Sequence, residues 1–271
     1  MDAFLGHVLI LGASGELGTA LALECAKSAS LLTLWGRDRK RLALTAELCR
    51  KAGGTRVNAH SVDLLDLDAA LAALRDEDDR TPIDTVIFAS GLGDIRAATD
   101  TFDHPELVSR LYHVNCVAPS ALGAELAQRM AARPQQSWNG DRKGHHIVFI
   151  GSAAGFAPMP FAASYAASKA GLARFADSLR IAMRPHGISV TLVSPGFIDT
   201  AAAHRVPGPK PFMISPQRGA GAILAAMRAQ KAHLIFPWPF ALIRLVLPAL
   251  PRPIRDRLLR SLAPPVRSNR R

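Results

Sequence analysis

Cysteine is scarce in this chain: three in 271 residues, at Cys25, Cys49 and Cys116, odd in number and scattered. That excludes a disulfide scaffold and paired-cysteine metal spacings, and it suits a reducing compartment such as the cytoplasm. No metal site is expected. Aromatic residues are few as well, 6% of the chain with two tyrosines and three tryptophans. No aromatic-rich basic groove can be drawn from them, so no nucleic-acid partner is expected. Acidic residues fall short of basic ones, 22 against 33, but the deficit is local. Residues 231–271 hold nine lysines and arginines and one acid, Asp256, which gives +8 of the net +11. The basic character therefore belongs to the tail. Long apolar runs are also missing. Leu234 to Leu250 is seventeen residues with one charge, Arg244, but three prolines interrupt it, and a span needs about 20 residues. The opening MDAFLGHVLILG has no basic n-region, so a signal peptide is not expected. No linker precedes residue 230 and no repeat is visible. The expectation is one domain over 1–236 and a basic, apolar extension over 237–271.

What is present is alternation. HVLIL, LLTLW, RVNAHSV, DTVIFAS, HIVFIG, SVTLVS and HLIF read as seven buried strands. Between them run Ala/Leu-rich stretches of helical period, at about 16–28, 39–52, 66–78, 104–132, 160–185 and 216–230. Strands that alternate with helices imply a parallel sheet, because parallel neighbours need crossover helices. The expected fold is α/β, a doubly wound parallel sheet of about seven strands with helices on both faces and a C-terminal helical extension. The polar segment 133–146, RPQQSWNGDRKGHH, reads as a solvated insertion.

The first strand runs into GASGELG, where Gly12, Gly15 and Gly18 enclose Ser14, Glu16 and Leu17. Glycines there allow backbone to approach a pyrophosphate, and the helix that follows offers N–H groups and a positive dipole end. At the end of the second strand, a site for NAD usually carries an acid. Here Gly36 stands in that position and Arg37 follows. A missing carboxylate removes repulsion, and a guanidinium can fork onto a 2′-phosphate. The reading favours NADP(H), with Arg39 and Lys40 as lesser candidates.

Tyr165 and Lys169 lie four residues apart in a helical segment and so share a face. An ammonium there can favour tyrosinate and tune a phenol for proton transfer. Ser152 ends the fifth strand, where a hydroxyl can bond a substrate carbonyl beside that phenol. Asn115 lies inside a helical pattern, where asparagine needs a reason. SPGFIDT (194–200) follows the sixth strand and can turn over a nicotinamide.

With these residues in place, the chain resembles the short-chain dehydrogenase/reductase family from His7 to about Phe236. The resemblance rests on the glycine turn, Asp63 after the third strand, Ala89-Ser90-Gly91 after the fourth, Asn115, Ser152, Tyr165-x-x-x-Lys169 and Pro195-Gly196-x-x-x-Thr200. It implies a Rossmann-type fold and hydride transfer between a nicotinamide and a carbonyl or alcohol. By position, Tyr165 would be the acid/base. Lys169 would lower its pKa and bond the nicotinamide ribose, and Ser152 would orient the carbonyl. Asn115 would hold a water that relays protons to Lys169. Asp63 would contact the adenine by its side chain and Leu64 by its backbone. Ile198 would meet the carboxamide through its backbone, with Thr200 near the carboxamide or pyrophosphate. Two departures stand out. Leu11 and Glu16 replace the usual Thr and middle Gly of T-G-x-x-x-G-x-G, and Phe88-Ala89-Ser90-Gly91 replaces Asn-Asn-Ala-Gly. They motivate two alternatives: a slow NADP-binding scaffold or redox sensor, and an NAD-dependent epimerase-like enzyme.

The segment 201–219 should set specificity. Pro207, Pro209, Pro211, Phe212 and Met213 make it a stiff apolar lid, suited to an apolar or lipid-like ketone or aldehyde. Phe156, Met159 and Phe161 are expected in the same cleft. In the tail, Ile254, Leu258, Leu259 and Leu262 form one apolar stripe, with Arg252, Arg255 and Arg260 mostly away from it. That pattern points to a peripheral site at the inner face of a membrane, with packing on the domain or on a second subunit as the competing outcome. Small residues around Ala166, Ala170 and Gly171 lean toward a dimer or tetramer.

Overall fold

The structure is a computed structural model that describes residues 5–93, 102–133, 137–138, 141–142, 144–206 and 208–261. Seven strands build the main sheet: β1 Gly6–Leu11, β2 Ala29–Gly36, β3 Arg56–Ser61, β4 Thr85–Phe88, β5 His146–Ile150, β6 Ser189–Pro195 and β7 His233–Phe236. Their order is β3-β2-β1-β4-β5-β6-β7, and every neighbouring pair is parallel. The helices are α1 Glu16–Cys25, α2 Arg39–Gly53, α3 Leu67–Arg80, α4 Pro105–Tyr112, α5 Ala118–Ala131, α6 Ala163–Met183, α7 Ala201–Arg205, α8 Pro216–Arg228, α9 Pro239–Ala249 and α10 Arg252–Ser261.

Each of the five inner strands feeds two cores by its period of two. Val8 and Ile10 of β1 enter one core with residues of α1, α2 and α8. Leu9 and Leu11 enter the other with residues of α3, α5 and α6. β5 divides likewise, Val148 and Ile150 to the first core and Ile147 and Phe149 to the second. A strand buried on both faces must be apolar throughout, which is why β1 reads as a continuous run. The expectation of seven buried strands needs one correction. β3 is largely exposed and β7 half-buried, because each closes an edge of the sheet.

Helix starts follow short polar side chains. Asp38 accepts from the Arg41 backbone at 3.0 Å to begin α2, Asp66 from Ala69 at 3.0 Å to begin α3, and Ser215 from Arg218 at 3.3 Å to begin α8. The chain builds outward from β1 to β3, then crosses back to β4 on the other side of β1. The carboxyl ends of β1 and β4 therefore flank the reversal, the place where such sheets take ligands.

The opposite rim is tied by buried polar groups. Asp78 receives Arg129, Arg133 and the Ile83 N–H. Burial pushes its carboxyl up, but the two arginines outweigh this and hold it below the usual range. The three cysteines are free thiols. Burial pushes Cys25 up to about 12 and Cys49 up to about 11, so both stay protonated.

The described part of the extension forms the two helices α9 and α10. Pro239 sits in the first turn of α9, and Pro248 falls near its end. α9 packs on the domain: Phe240 lies against Gly196 and Arg244 over the Phe156 ring. The expected leucine stripe of α10 is split. Leu259 is buried, whereas Ile254 and Leu258 face outward and Leu262 lies outside the described residues. Among the described residues, no helix is long and apolar enough to cross a membrane. Of the segment 133–146, Ser137–Trp138 pairs antiparallel with Asp141–Arg142, and the rest falls partly outside the described residues.

Candidate active site

The glycine turn leaves β1 with Gly12 at φ 86, a left-handed conformation that disfavours any side chain. A Cβ there would stand 2.5 Å from the Ser90 backbone nitrogen, and one at Gly18 would stand 2.1 Å from the Gly12 carbonyl. These two glycines are thus required by close packing of turn, helix and β4. Gly15 is the N-cap of α1 and contributes no side-chain cap. The first turn of α1 therefore keeps the dipole end expected of an anion site. A Cβ at Gly36 would stand 2.7 Å from Ser14 Oγ, so any side chain there would require the Ser14 hydroxyl to turn away. Arg37 is exposed beside this point, and its carbonyl accepts from Ser61 Oγ at 3.3 Å.

Glu16 was a departure in sequence, and the structure gives it a partner. Its Oε2 accepts the Ala201 N–H at 2.9 Å, joining the glycine turn to the start of α7. No local signal links residues so far apart in sequence. Asp63 is exposed, and its Oδ1 accepts from the Leu65 N–H at 3.1 Å. The Leu64 side chain is buried in the second core.

Beyond β4, Ala89 donates its N–H to the Leu11 carbonyl at 2.9 Å. Ser90 Oγ is buried without a hydrogen-bond partner among the described residues. Such an orphaned group beside Gly12 is what a polar ligand in the cleft would satisfy. A Cβ at Gly91 would lie 3.3 Å from Lys169 Nζ and 3.4 Å from Asn115 Oδ1, so this glycine leaves both polar atoms uncovered.

Asn115 sits in a π-helical turn, His113–Val117, between α4 and α5, a distortion frequent at functional sites. It is fully buried. Its Oδ1 accepts the Leu92 N–H at 2.8 Å, and its Nδ2 donates to the Leu92 carbonyl at 3.0 Å and to Ser168 Oγ at 3.2 Å. The amide clamps the end of β4 to α6, and one lone pair of Oδ1 remains for a further donor.

Ser152 follows β5 and opens a 3₁₀ turn, Ala153–Phe156, its Oγ accepting from Ala154 at 3.1 Å. Tyr165 is half-buried on α6, near enough to Ser152 for that hydroxyl to pull the phenol down. Lys169, one turn further on, is buried and donates to the Ile150 carbonyl at 3.0 Å. The electrostatics differ from the expectation that Lys169 would lower the phenol. Burial pushes Tyr165 up from its ordinary value, against a downward pull from Ser152. Burial also pushes Lys169 down to about 8. Burial shifts both groups toward their neutral forms because both sit in low dielectric, though Lys169 still carries its charge at neutral pH.

After β6, Pro195 pairs with Phe236, and Gly196 donates its N–H to the Phe236 carbonyl at 2.8 Å. Phe240 lies so close that a Cβ on Gly196 would meet its ring at 2.3 Å. Ile198 bridges Ile214 through backbone, and Thr200 caps α7 by accepting from Ala203 at 3.1 Å. His233 Nε2 lies 2.9 Å from Ser194 Oγ, and Arg244 reaches the other ring nitrogen. Burial, then Arg244, push His233 down to about 4, so it is neutral. Sequence reasoning missed Phe240, Arg244 and His233, since no local pattern joins them to the site.

The lid segment is mostly exposed; Phe212 is turned outward at φ 58, and Pro207 lies outside the described residues. Phe156 and Met159 also depart from expectation. They line a cavity of about 630 Å³ with Ala163, Ala167 and Leu259. By helical period, this cavity opens on the side of α6 turned away from Tyr165. Neither Tyr165 nor Ser152 lines it.

Comparison with known proteins agrees with this fold. The family model for short chain dehydrogenases matches residues 6–209. An uncharacterized oxidoreductase of Myxococcus xanthus is 30% identical over 94% of this chain and 96% of its own. A short-chain dehydrogenase from Sphingobium yanoikuyae, solved in complex with NADPH, superposes with a TM-score of 0.75 at 27% identity, over 98% of this chain and 100% of that one. The bulky-bulky ketone specific alcohol dehydrogenase from Comamonas testosteroni gives a TM-score of 0.72 at 25% identity, over 91% and 94% of the two chains. The chain belongs to the short-chain dehydrogenase/reductase family.

Proposed function

We propose that this chain is an NADP(H)-dependent oxidoreductase that reduces a bulky, apolar ketone or aldehyde to an alcohol, or runs the reverse reaction. The observation that carries the reading is Tyr165 beside Ser152, with Lys169 buried one turn away at the carboxyl edge of the sheet. The NADPH bound to the Sphingobium relative supports the cofactor, and the ketone specificity of the Comamonas relative supports the substrate class. The residues fit the dinucleotide: glycines 12, 15 and 18 admit it, Ser90 Oγ awaits a partner, and the end of β2 has no acid.

When bound, the nicotinamide supplies or accepts the hydride. The chain's own groups do the rest. Gly12, Ser14, Gly15, Glu16, Leu17 and Gly18 form the cradle for the pyrophosphate. Arg37 takes the 2′-phosphate, and Asp63 and Leu64 flank the adenine. Ala89, Ser90, Gly91, Pro195, Gly196, Ile198 and Thr200 surround the nicotinamide half. Ser152 holds the substrate oxygen by a hydrogen bond. Tyr165, whose burial keeps it protonated at neutral pH, gives its proton to that oxygen during reduction. Lys169 fixes the ribose, and Asn115 accepts from a relay water through its remaining lone pair.

The reading includes a homo-oligomer through small residues of α6, of which Ala170 and Gly171 are exposed while the expected Ala166 is buried. Its setting is the cytoplasm, peripheral to the inner face of a membrane, which the apolar and basic extension supports. The test is turnover of a panel of bulky ketones with NADPH, comparing the natural chain with Tyr165→Phe. We expect the variant to lose about 10³-fold in kcat while its NADPH affinity stays within about twofold. Equal rates would overturn the assignment.

A further inference from the structure

We propose that the outward face of α9 and α10 docks on an anionic lipid bilayer. The proposal rests on the membrane placement above and adds the lipid class and the atoms that meet it. Among the described residues, fifteen large apolar side chains are exposed, and seven of them fall between Trp238 and Leu258. Trp238 and Leu245 are each 71% exposed, Ile254 58% and Val246 56%. A patch of this kind on a single chain marks an interaction surface rather than chance.

The geometry of α9 divides its residues. Phe240, Arg244 and Leu247, at spacings of four and three, face the domain: Phe240 on Gly196, Arg244 on Phe156, Leu247 buried. Leu242, Leu245 and Val246 therefore point the other way. The helix is anchored on one side and left apolar on the other. Neither helix can span a bilayer, at 11 and 10 residues. An apolar face on an anchored short helix meets a bilayer lying flat, at the level of the headgroups.

Charge selects the lipid. α10 carries Arg252, Arg255, Arg257 and Arg260 against a single acid, Asp256. Each arginine near an anionic surface tightens binding about fivefold. The same charges argue against a second copy of the chain as occupant. A symmetric contact through this face would bring two α10 helices together, each with four arginines against one acid.

The experiment is co-sedimentation of the full chain with vesicles of phosphatidylcholine alone, or with about one-third phosphatidylglycerol. We expect binding at least about tenfold tighter to the anionic vesicles, weakening as salt is raised. The paired variant Leu245→Asp, Val246→Asp should abolish it, and Arg252→Glu, Arg257→Glu should weaken it by about 25-fold or more. NADPH binding without vesicles, unchanged in both variants, shows that each is folded and keeps the enzymatic reading separate. Equal binding to both vesicles would overturn the anionic preference. No binding to either would overturn the membrane placement as well. Self-association of the natural chain that either variant dissolves would assign the face to a second copy instead.

Discussion

Tyr165 and Lys169 occupy one buried face, and burial acts on them in opposite directions. The phenol is pushed up and the ammonium down to about 8. A phenol above its ordinary value is a proton donor throughout the neutral range. Ketone reduction should therefore be flat between about pH 6 and 8. Alcohol oxidation needs the phenol as acceptor, so its rate should rise with pH across the same range. Initial rates in both directions over one buffer series check this, and an oxidation rate that falls with pH would contradict it. Arg37 makes a second prediction. Exposed just past β2, whose last residue is Gly36 rather than an acid, it should discriminate cofactors. Arg37→Ala is expected to weaken NADPH by about 10- to 100-fold, the worth of charge-assisted bonds, and to leave NADH within about twofold. Titration of both cofactors against the variant decides it, and equal losses would remove Arg37 from the phosphate site.

Elements rather than residues fix the walls of the cleft. β6 ends at Pro195, and α9 returns from β7 to rest Phe240 on Gly196. Phe240→Ala should open a gap beneath the segment Gly196–Thr200. We expect kcat/KM for a bulky ketone to fall about tenfold, with NADPH affinity changed less than threefold. Steady-state kinetics and cofactor titration on one preparation would show it. This contact also marks where sequence reading stops. The strands and helices were legible because each has its own period, and the Tyr-Lys pair because i and i+4 must share a face. Asn115 was legible because asparagine is out of place mid-helix. The contacts of Glu16 with Ala201, Phe240 with Gly196 and His233 with Ser194 join distant residues. No periodicity encodes them. Nor could spacing reveal the raised phenol. It predicts that a lysine is near, but the desolvation around both groups depends on everything packed over them. The two-sided α9 was half legible: its apolarity could be read, but the residues turned inward could not.

At the scale of the whole molecule, seven parallel strands gather the site at their carboxyl ends and leave structural polar groups at the other. Asp78 with its two arginines lies there, far along the strands from Tyr165. Removing its charge would leave Arg129 and Arg133 short of a buried partner. Asp78→Asn should lower unfolding free energy by about 3 kcal/mol with kcat and KM for ketone and NADPH unchanged. Because its folded carboxyl titrates below the usual range, this contribution is present above about pH 4 and lost as acid protonates the group. Denaturant melts at neutral pH and at about pH 3, run beside kinetics at neutral pH, test both halves.

The parallel arrangement has a further consequence for how such a protein can change. One end of the open parallel sheet holds the reacting groups, and the other holds the fastenings. Heat tolerance can be raised by reworking the Asp78 cluster or the His7–Thr33–Glu77 chain, in which Thr33 donates to Glu77 at 2.7 Å, without touching the chemistry. Conversely, the loops above β4, β5 and β6 can drift toward new substrates while the fastenings keep the scaffold shut. Ruggedness and selectivity are adjustable on separate screws.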